Sequence, residues 1–135
     1  PTIVLDVAHN PHAAAVLAQN LDNMAYFPYT HAVFGMLDDK DVAGVVARLG
    51  KRIDHWYCPT LPGPRGVSGE ALTARVAAAL PALGSEDEAA TLTAFDDVAA
   101  AVAAAQKRAG EGDRIVIFGS FLTVAAALTA LGRAH

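Results

Sequence analysis

The stretch Ile3-Val4-Leu5-Asp6-Val7-Ala8-His9-Asn10-Pro11 decides how the rest of this chain is read. An apolar run, the core of a strand expected over Ile3–Val7, meets an acid, an imidazole and an amide placed on one turn. Asn10 is a good N-cap, and Pro11 suits the first helical position, where a missing N–H costs nothing. The alanine-rich, amphipathic segment from Pro11 to Met24 then reads as a helix. A strand whose carboxyl end runs into a helix N-terminus is where open α/β sheets bind ligands, anionic ones in particular. Asp6 and His9 therefore carry two readings: polar residues that merely end a strand, or groups at a ligand-binding edge.

The same alternation continues outward from this stretch. A strand is expected over His31–Met36, followed by a helix over Asp39–Arg52 with an apolar stripe of Val42, Val45, Val46 and Leu49. His55–Cys58 is short and aromatic, and the loop from Pro59 to Val67 is rich in proline and glycine. Ser68 caps a helix over Gly69–Leu80, with Glu70 and Glu86 off its apolar face, and residues 84–89 form a polar turn. Thr91–Phe95 is a strand, Asp96 caps a helix over Asp97–Ala109, Ile115–Phe118 is a strand, and Ser120–Leu131 is the last helix. This βαβα order specifies one α/β domain, Rossmann-like in the loose sense, with three layers: a mainly parallel sheet and helices on both faces. Right-handed crossovers are the default topology.

With 135 residues, 53% of them hydrophobic and 18% charged, the chain is a single domain able to bury a real core. A net charge of −4 offers no general attraction to nucleic acid or to an anionic membrane surface. The lone Cys58 excludes an intrachain disulfide and any cysteine-cluster metal site, and reads as a small apolar residue at a strand end. No apolar run approaches the ~18 residues a membrane span needs, and no signal-peptide pattern is present, so a cytoplasmic location is the default expectation. G-x-G-x-x-G does not follow the first strand, so a dinucleotide has no support. G-x-x-x-x-G-K-[ST] is also absent; the nearest string, ending at Gly50-Lys51-Arg52, lacks the hydroxyl and sits within a helical pattern.

In a parallel sheet, the residues after the first, second and last strands lie along one edge and line one cleft. Asp6 there suits a ribose, since its two oxygens accept hydrogen bonds from vicinal hydroxyls. Ser120, at a helix N-terminus, either receives a carboxylate or phosphate or simply caps the helix. Gly119 admits a close backbone approach or just a turn. His9, an imidazole, suits an anion or an acid as partner, with a plain loop histidine as the alternative. His12 reads as part of an exposed face, and His31, His55 and His135 show no metal-ligand spacing. Asp38, Asp39 and Asp41 read as a capped, solvated helix start, with a cation site as the alternative. Arg65 is a candidate contact for a carboxylate.

Three segments also carry a family resemblance: Leu5-Asp6-Val7-Ala8-His9-Asn10-Pro11-His12, Phe34-Gly35-Met36-Leu37-Asp38-Asp39-Lys40-Asp41, and Phe118-Gly119-Ser120-Phe121-Leu122-Thr123-Val124. Together with Pro64-Arg65 they resemble the C-terminal domain of the Mur-ligase superfamily, and within it the folylpolyglutamate and dihydrofolate synthase branch. The related peptidoglycan-precursor Mur ligases share an Asp-x-Ala-His motif, but the second and third strings sit better with the folate branch. The resemblance implies that residues 1–135 are the C-terminal part of a longer enzyme whose N-terminal domain supplies the phosphate-binding loop and the magnesium ligands; the start at Pro1-Thr2 carries the same expectation. It implies an ATP-dependent ligase that phosphorylates the carboxylate of a folate or dihydropteroate, after which L-glutamate's amine attacks the acyl phosphate. Asp6 would hold the ATP ribose, and His9 and Ser120 would place glutamate or the transferring phosphate. The partners implied are ATP with Mg2+, L-glutamate, the folate acid and the N-terminal domain, and this domain alone would be inactive. A reading of a different class is a non-catalytic Rossmann-like binding module.

Overall fold

The computed structural model describes residues 1–80 and 90–132. Along them run β1 (Thr2–Leu5), α1 (Pro11–Asp22), β2 (Thr30–Phe34), α2 (Val42–Leu49), β3 (His55–Pro59), α3 (Gly69–Ala79), β4 (Thr91–Phe95), α4 (Val98–Arg108), β5 (Arg114–Phe118) and α5 (Phe121–Ala130). The expected turn over 84–89, Glu86 within it, and His135 lie outside the described residues.

Every strand pairing is parallel, and the strands lie in the order β1-β5-β2-β3-β4. Right-handed crossovers then dictate where the helices go. The steps from β1 to β2, β2 to β3 and β3 to β4 all advance in one direction, so α1, α2 and α3 share a face. Their buried residues Leu17, Leu21, Val45, Val46, Leu49, Leu72 and Val76 pack on Phe34, Trp56 and Phe118. The step from β4 to β5 runs backward, so α4 lies on the other face, where α5 packs beside it, with Val102, Ala105 and Ala127 over Val33, Ile115 and Ile117. Fully burying a Val or Leu contributes about 1.5–3 kcal/mol, so these two clusters dominate the stability. The Phe34 ring lies 5.4 Å from Trp56 and 4.8 Å from Phe118, centroid to centroid.

Several element limits differ from the sequence expectation, each for a local reason. The first strand covers Thr2–Leu5 and leaves Val7 exposed, because the Asp6 side chain turns the backbone there. The first helix stops at Asp22, where Asn23 and Met24 close a turn ahead of Pro28. The second begins at Val42, since Asp41 caps it, and its last turn tightens into a 3₁₀ turn over Gly50–Arg52. Arg114 opens β5 instead of leading into it. It is buried, with Nε donating to Thr30 Oγ1 at 2.7 Å and Nη1 to the Leu21 carbonyl at 2.8 Å.

Asn10, Asp41, Ser68, Asp97 and Ser120 cap the five helices. For α4 the cap is therefore Asp97 and not Asp96: the Asp97 carboxylate accepts the Ala100 N–H at 2.8 Å. Asp97→Ala should cost about 1 kcal/mol of stability, and Asp96→Ala less than about 0.5 kcal/mol. Urea unfolding of both variants checks this; equal losses would show that the cap bond contributes nothing of its own.

The amino edge of the sheet is tied by a buried chain of polar groups. His31 Nδ1 meets the Tyr57 hydroxyl at 2.8 Å, and Nε2 meets Asp113 Oδ2 at 3.0 Å, linking β2 to the middle of β3 and to the residue that precedes β5. Burial acts to raise the Asp113 pKa, but the Gly110 N–H and His31 outweigh it and hold the carboxyl below its ordinary value. Burial pushes the Tyr57 phenol upward, so its proton stays in place to bond His31.

Candidate active site at the carboxyl edge

The register brings the carboxyl ends of three strands level: Leu5 of β1 and Val33 of β2 both pair with Ile117 of β5. The chain leaves β1 and β2 toward one face and leaves β5, which lies between them, toward the other. Such a switch opens a crevice at the strand ends. A cleft of about 290 Å³ occupies it, formed by Val7 and His9 after β1, Leu37 and Lys40 after β2, Arg65 from the β3–α3 loop, and Gly119, Ser120 and Phe121 after β5.

At the root of the cleft, the Asp6 N–H extends the ladder to the Ile117 carbonyl at 3.0 Å. Asp6 Oδ1 accepts the Ala8 N–H at 2.7 Å, the Asx turn that redirects the chain toward α1. Asp6 Oδ2 makes no hydrogen bond among the described residues, and Asp6 itself does not line the cleft. The structure thus brings His9 and Ser120 together in one cavity and sets Asp6 just behind it. His9 Nδ1 lies 2.9 Å from the Val7 carbonyl; in the neutral ring this makes Nδ1 the donor and leaves Nε2 as an acceptor.

The loops after β2 and β3 are joined by the Asp38 N–H, which donates to the Arg65 carbonyl at 2.8 Å, and by a bridge between Leu37 and Gly66. Within the domain Arg65 pairs with the Asp39 carboxylate, and the guanidinium holds the Asp39 carboxyl below its ordinary range. Asp41 is spent on capping, accepting the Gly44 N–H at 2.9 Å. The Asp38–Asp39–Asp41 run is therefore a helix start, and no group of three or more potential ligands for a metal occurs among the described residues. The cleft's own polar side chains, from Lys40, Arg65, His9 and Ser120, suit an anion and not a hard cation, which takes several oxygen ligands. Its apolar walls, Val7, Leu37 and Phe121, suit the body of a larger molecule.

Sequence reasoning passed over Lys40, which reads there only as a neighbour of three acids, and Thr123, embedded in an apolar helix pattern. The Thr123 hydroxyl is buried, lies 2.7 Å from Ser120 Oγ and donates to the Gly35 carbonyl at 3.0 Å. A hydroxyl residue three positions after a serine cap was the available signal. Cys58, by contrast, is as read: buried, with its thiol pushed up to about 11 by burial, it is an inert core residue.

The model of the Mur ligase family's glutamate ligase domain matches residues 1–121. The chain belongs to that family. It is 40% identical over 125 residues to the dihydrofolate synthase/folylpolyglutamate synthase of Escherichia coli, covering 93% of this chain and 26% of that protein. The Mycobacterium tuberculosis enzyme of the same name is 36% identical over 139 residues, covering 98% of this chain and 28% of its own length. Among solved structures, E. coli FolC in complex with DHPP and ADP superimposes with a TM-score of 0.84 at 37% identity, over 96% of this chain and 28% of that one. The bifunctional folylpolyglutamate/dihydrofolate synthase with Mn, AMPPNP and L-glutamate bound gives 0.78 at 42% identity, over 96% and 29%. The chain thus spans between a quarter and a third of the length of these relatives. The relatives named here lie in the folate branch of the Mur-ligase family, as the three motifs indicated, and the α/β architecture matches theirs. No helix among the described residues is long and apolar enough to cross a membrane.

Proposed function

We propose that this domain supplies one wall of the reaction cleft of an ATP-dependent ligase that joins L-glutamate to folates, and to dihydropteroate where the enzyme is bifunctional. The other wall is a separate N-terminal domain that holds the ATP phosphates and Mg2+. The observation that carries this reading is the convergence of the three motif-bearing strand ends on a single cleft with anion-binding groups and apolar walls. Relatives solved with ADP, and with AMPPNP and L-glutamate, support it.

In the proposed reaction the γ-phosphoryl group passes from ATP to the folate carboxylate. The glutamate amine then attacks the acyl carbon, forming the amide and releasing phosphate. This domain contributes no nucleophile. Its residues orient and neutralise: Asp6 accepts from the ribose hydroxyls, while His9 and Ser120 hold the glutamate carboxylate or the transferring phosphate, with Lys40 near enough to balance charge. Positioning of this kind, completed when two domains close, provides most of the catalysis in phosphoryl and acyl-phosphate chemistry.

The test is kinetic, on the full-length enzyme that carries this domain. Ser120→Ala and His9→Ala should raise the KM for glutamate by roughly 10-fold or more, the effect of losing a hydrogen bond to a charged group, while the KM for ATP stays near wild type. Ser120 also caps α5 through the Thr123 N–H at 3.1 Å, so a stability loss of about 1 kcal/mol should accompany its removal. A lowered melting temperature with wild-type glutamate kinetics leaves Ser120 as a cap alone and rejects the site.

A further inference from the structure

Ser120 cannot act alone, because its hydroxyl is already engaged on two sides. Its Oγ accepts the Thr123 N–H at 3.1 Å and lies 2.7 Å from Thr123 Oγ1. Two oxygens at that separation share one proton, and its origin follows from the next link. Thr123 Oγ1 lies 3.0 Å from the Gly35 carbonyl, which only accepts, so the Thr123 proton points there. The proton between the two hydroxyls is therefore Ser120's own, and it points inward, away from the cleft.

Donation from Ser120 to a carboxylate requires that proton to swing outward. If nothing else changed, Ser120 Oγ and Thr123 Oγ1 would then face each other lone pair to lone pair in a buried site. The remedy lies in the same side chain. Rotation of the Thr123 hydroxyl moves its proton from the Gly35 carbonyl to Ser120 Oγ and restores a hydrogen bond between the two oxygens. Gly35 gives up one acceptor contact, while a charge-assisted bond forms at the ligand.

We propose that Thr123 is the positioning residue for Ser120, a two-way hydroxyl that takes the Ser120 proton in one state and gives its own in the other, so that Ser120 becomes a donor to the carboxylate of the incoming amino acid. The inference rests on the assignment of Ser120 to the amino-acid site. The surrounding geometry holds the exchange in place. Thr123 is fully buried, and a Cβ at position 35 would stand only 2.5 Å from its Oγ1, so glycine there leaves room for the hydroxyl. Gly35 also donates its N–H to the Phe118 carbonyl at 3.3 Å, joining the ends of β2 and β5. The hydroxyl chain thus spans the two strand ends that flank the cleft.

The experiment compares Thr123→Val, Thr123→Ser, Ser120→Ala and the Ser120→Ala/Thr123→Val double variant in the full-length enzyme. Each is measured for glutamate KM, ATP KM, kcat and melting temperature. Thr123→Val keeps the shape and removes the hydroxyl; it should raise glutamate KM roughly 3- to 12-fold, the range for one hydrogen bond, with ATP KM unchanged. Thr123→Ser should restore glutamate KM to within about twofold of wild type even if it melts lower, because the exchanging hydroxyl is retained. The double variant should be no worse in glutamate KM than Ser120→Ala, since Thr123 acts through Ser120. If Ser120→Ala impairs glutamate use and Thr123→Val only lowers the melting temperature, the positioning role is overturned and the site assignment stands. If Ser120→Ala itself leaves glutamate KM at wild type, the underlying assignment fails, and the role built on it falls too.

Discussion

Gly119→Ala is expected to destabilise the domain by about 3 kcal/mol or more and to spoil the cleft. Gly119 has φ +114°, a backbone conformation that side chains strongly disfavour. An added Cβ would also stand 2.4 Å from the Gly35 carbonyl oxygen and 3.0 Å from Phe34 Cδ1. The first of these neighbours is backbone, held by the pairing of β2 with β5, so it has nowhere to go. The oxygen concerned is the one that accepts from Thr123, so any shift is passed directly to Ser120. Gly132→Ala provides the control, because Gly132 also has positive φ, at +72°, but among the described residues nothing lies within 4 Å of its would-be Cβ. That variant should lose only about 1 kcal/mol, the backbone part alone. Urea unfolding of the two variants measures the difference, and similar losses at both positions would remove steric contact from the explanation.

Asp6→Ala should raise the apparent KM for ATP roughly 10- to 150-fold in the full-length enzyme, the value of about 1.5–3 kcal/mol for a hydrogen bond made by a charged group. Folate affinity should change much less. Because Asp6 Oδ1 already holds the Ala8 N–H, alanine also releases the Asx turn, and a second variant is needed to separate the two effects. Asp6→Asn keeps an oxygen for the turn and replaces the other by an amide nitrogen, which donates. It should therefore preserve the loop and recover part, but not all, of the ATP affinity. Wild-type ATP affinity in a folded Asp6→Ala variant would make Asp6 a strand-end residue and nothing more. Wild-type affinity in Asp6→Asn alone would assign the alanine effect to the turn.

The secondary structure of this domain is legible from its sequence because each element carries its own local signal. The stripe Val42, Val45, Val46, Leu49 is buried as its spacing requires, and Ser68 and Ser120 cap the helices they precede. The signal fails where two neighbours could both serve, as with Asp96 and Asp97, since only the backbone angles distinguish a cap from the residue before it. Strand order is not local at all. Nothing in Ile115–Phe118 announces that it lies between β1 and β2, and so the sequence places Asp6, Gly35 and Ser120 on one edge without specifying which are adjacent. The contacts missed in the sequence follow from that adjacency. Thr123 meets Gly35 only because β5 is beside β2, and His31, isolated in the sequence, meets Asp113 for the same reason and Tyr57 because β3 is β2's other neighbour. Lys40 and Arg65 enter the cleft through loop geometry, which composition does not encode.

The central place of β5 also has a consequence for how the domain is made. Among the described residues β1 pairs only with β5: Thr2 with Arg114 and Leu5 with Ile117. A ribosome releases the first strand long before the fifth, and until then the β1 backbone has only water to bond. The sheet can grow from β2 through β4, but it cannot be completed until Arg114–Phe118 has emerged. Domains whose defining contacts join distant segments fold slowly and are exposed to aggregation while they wait. A nascent chain stalled before Arg114 should therefore hold an unpaired strand and an unfilled central slot, a natural target for chaperone capture.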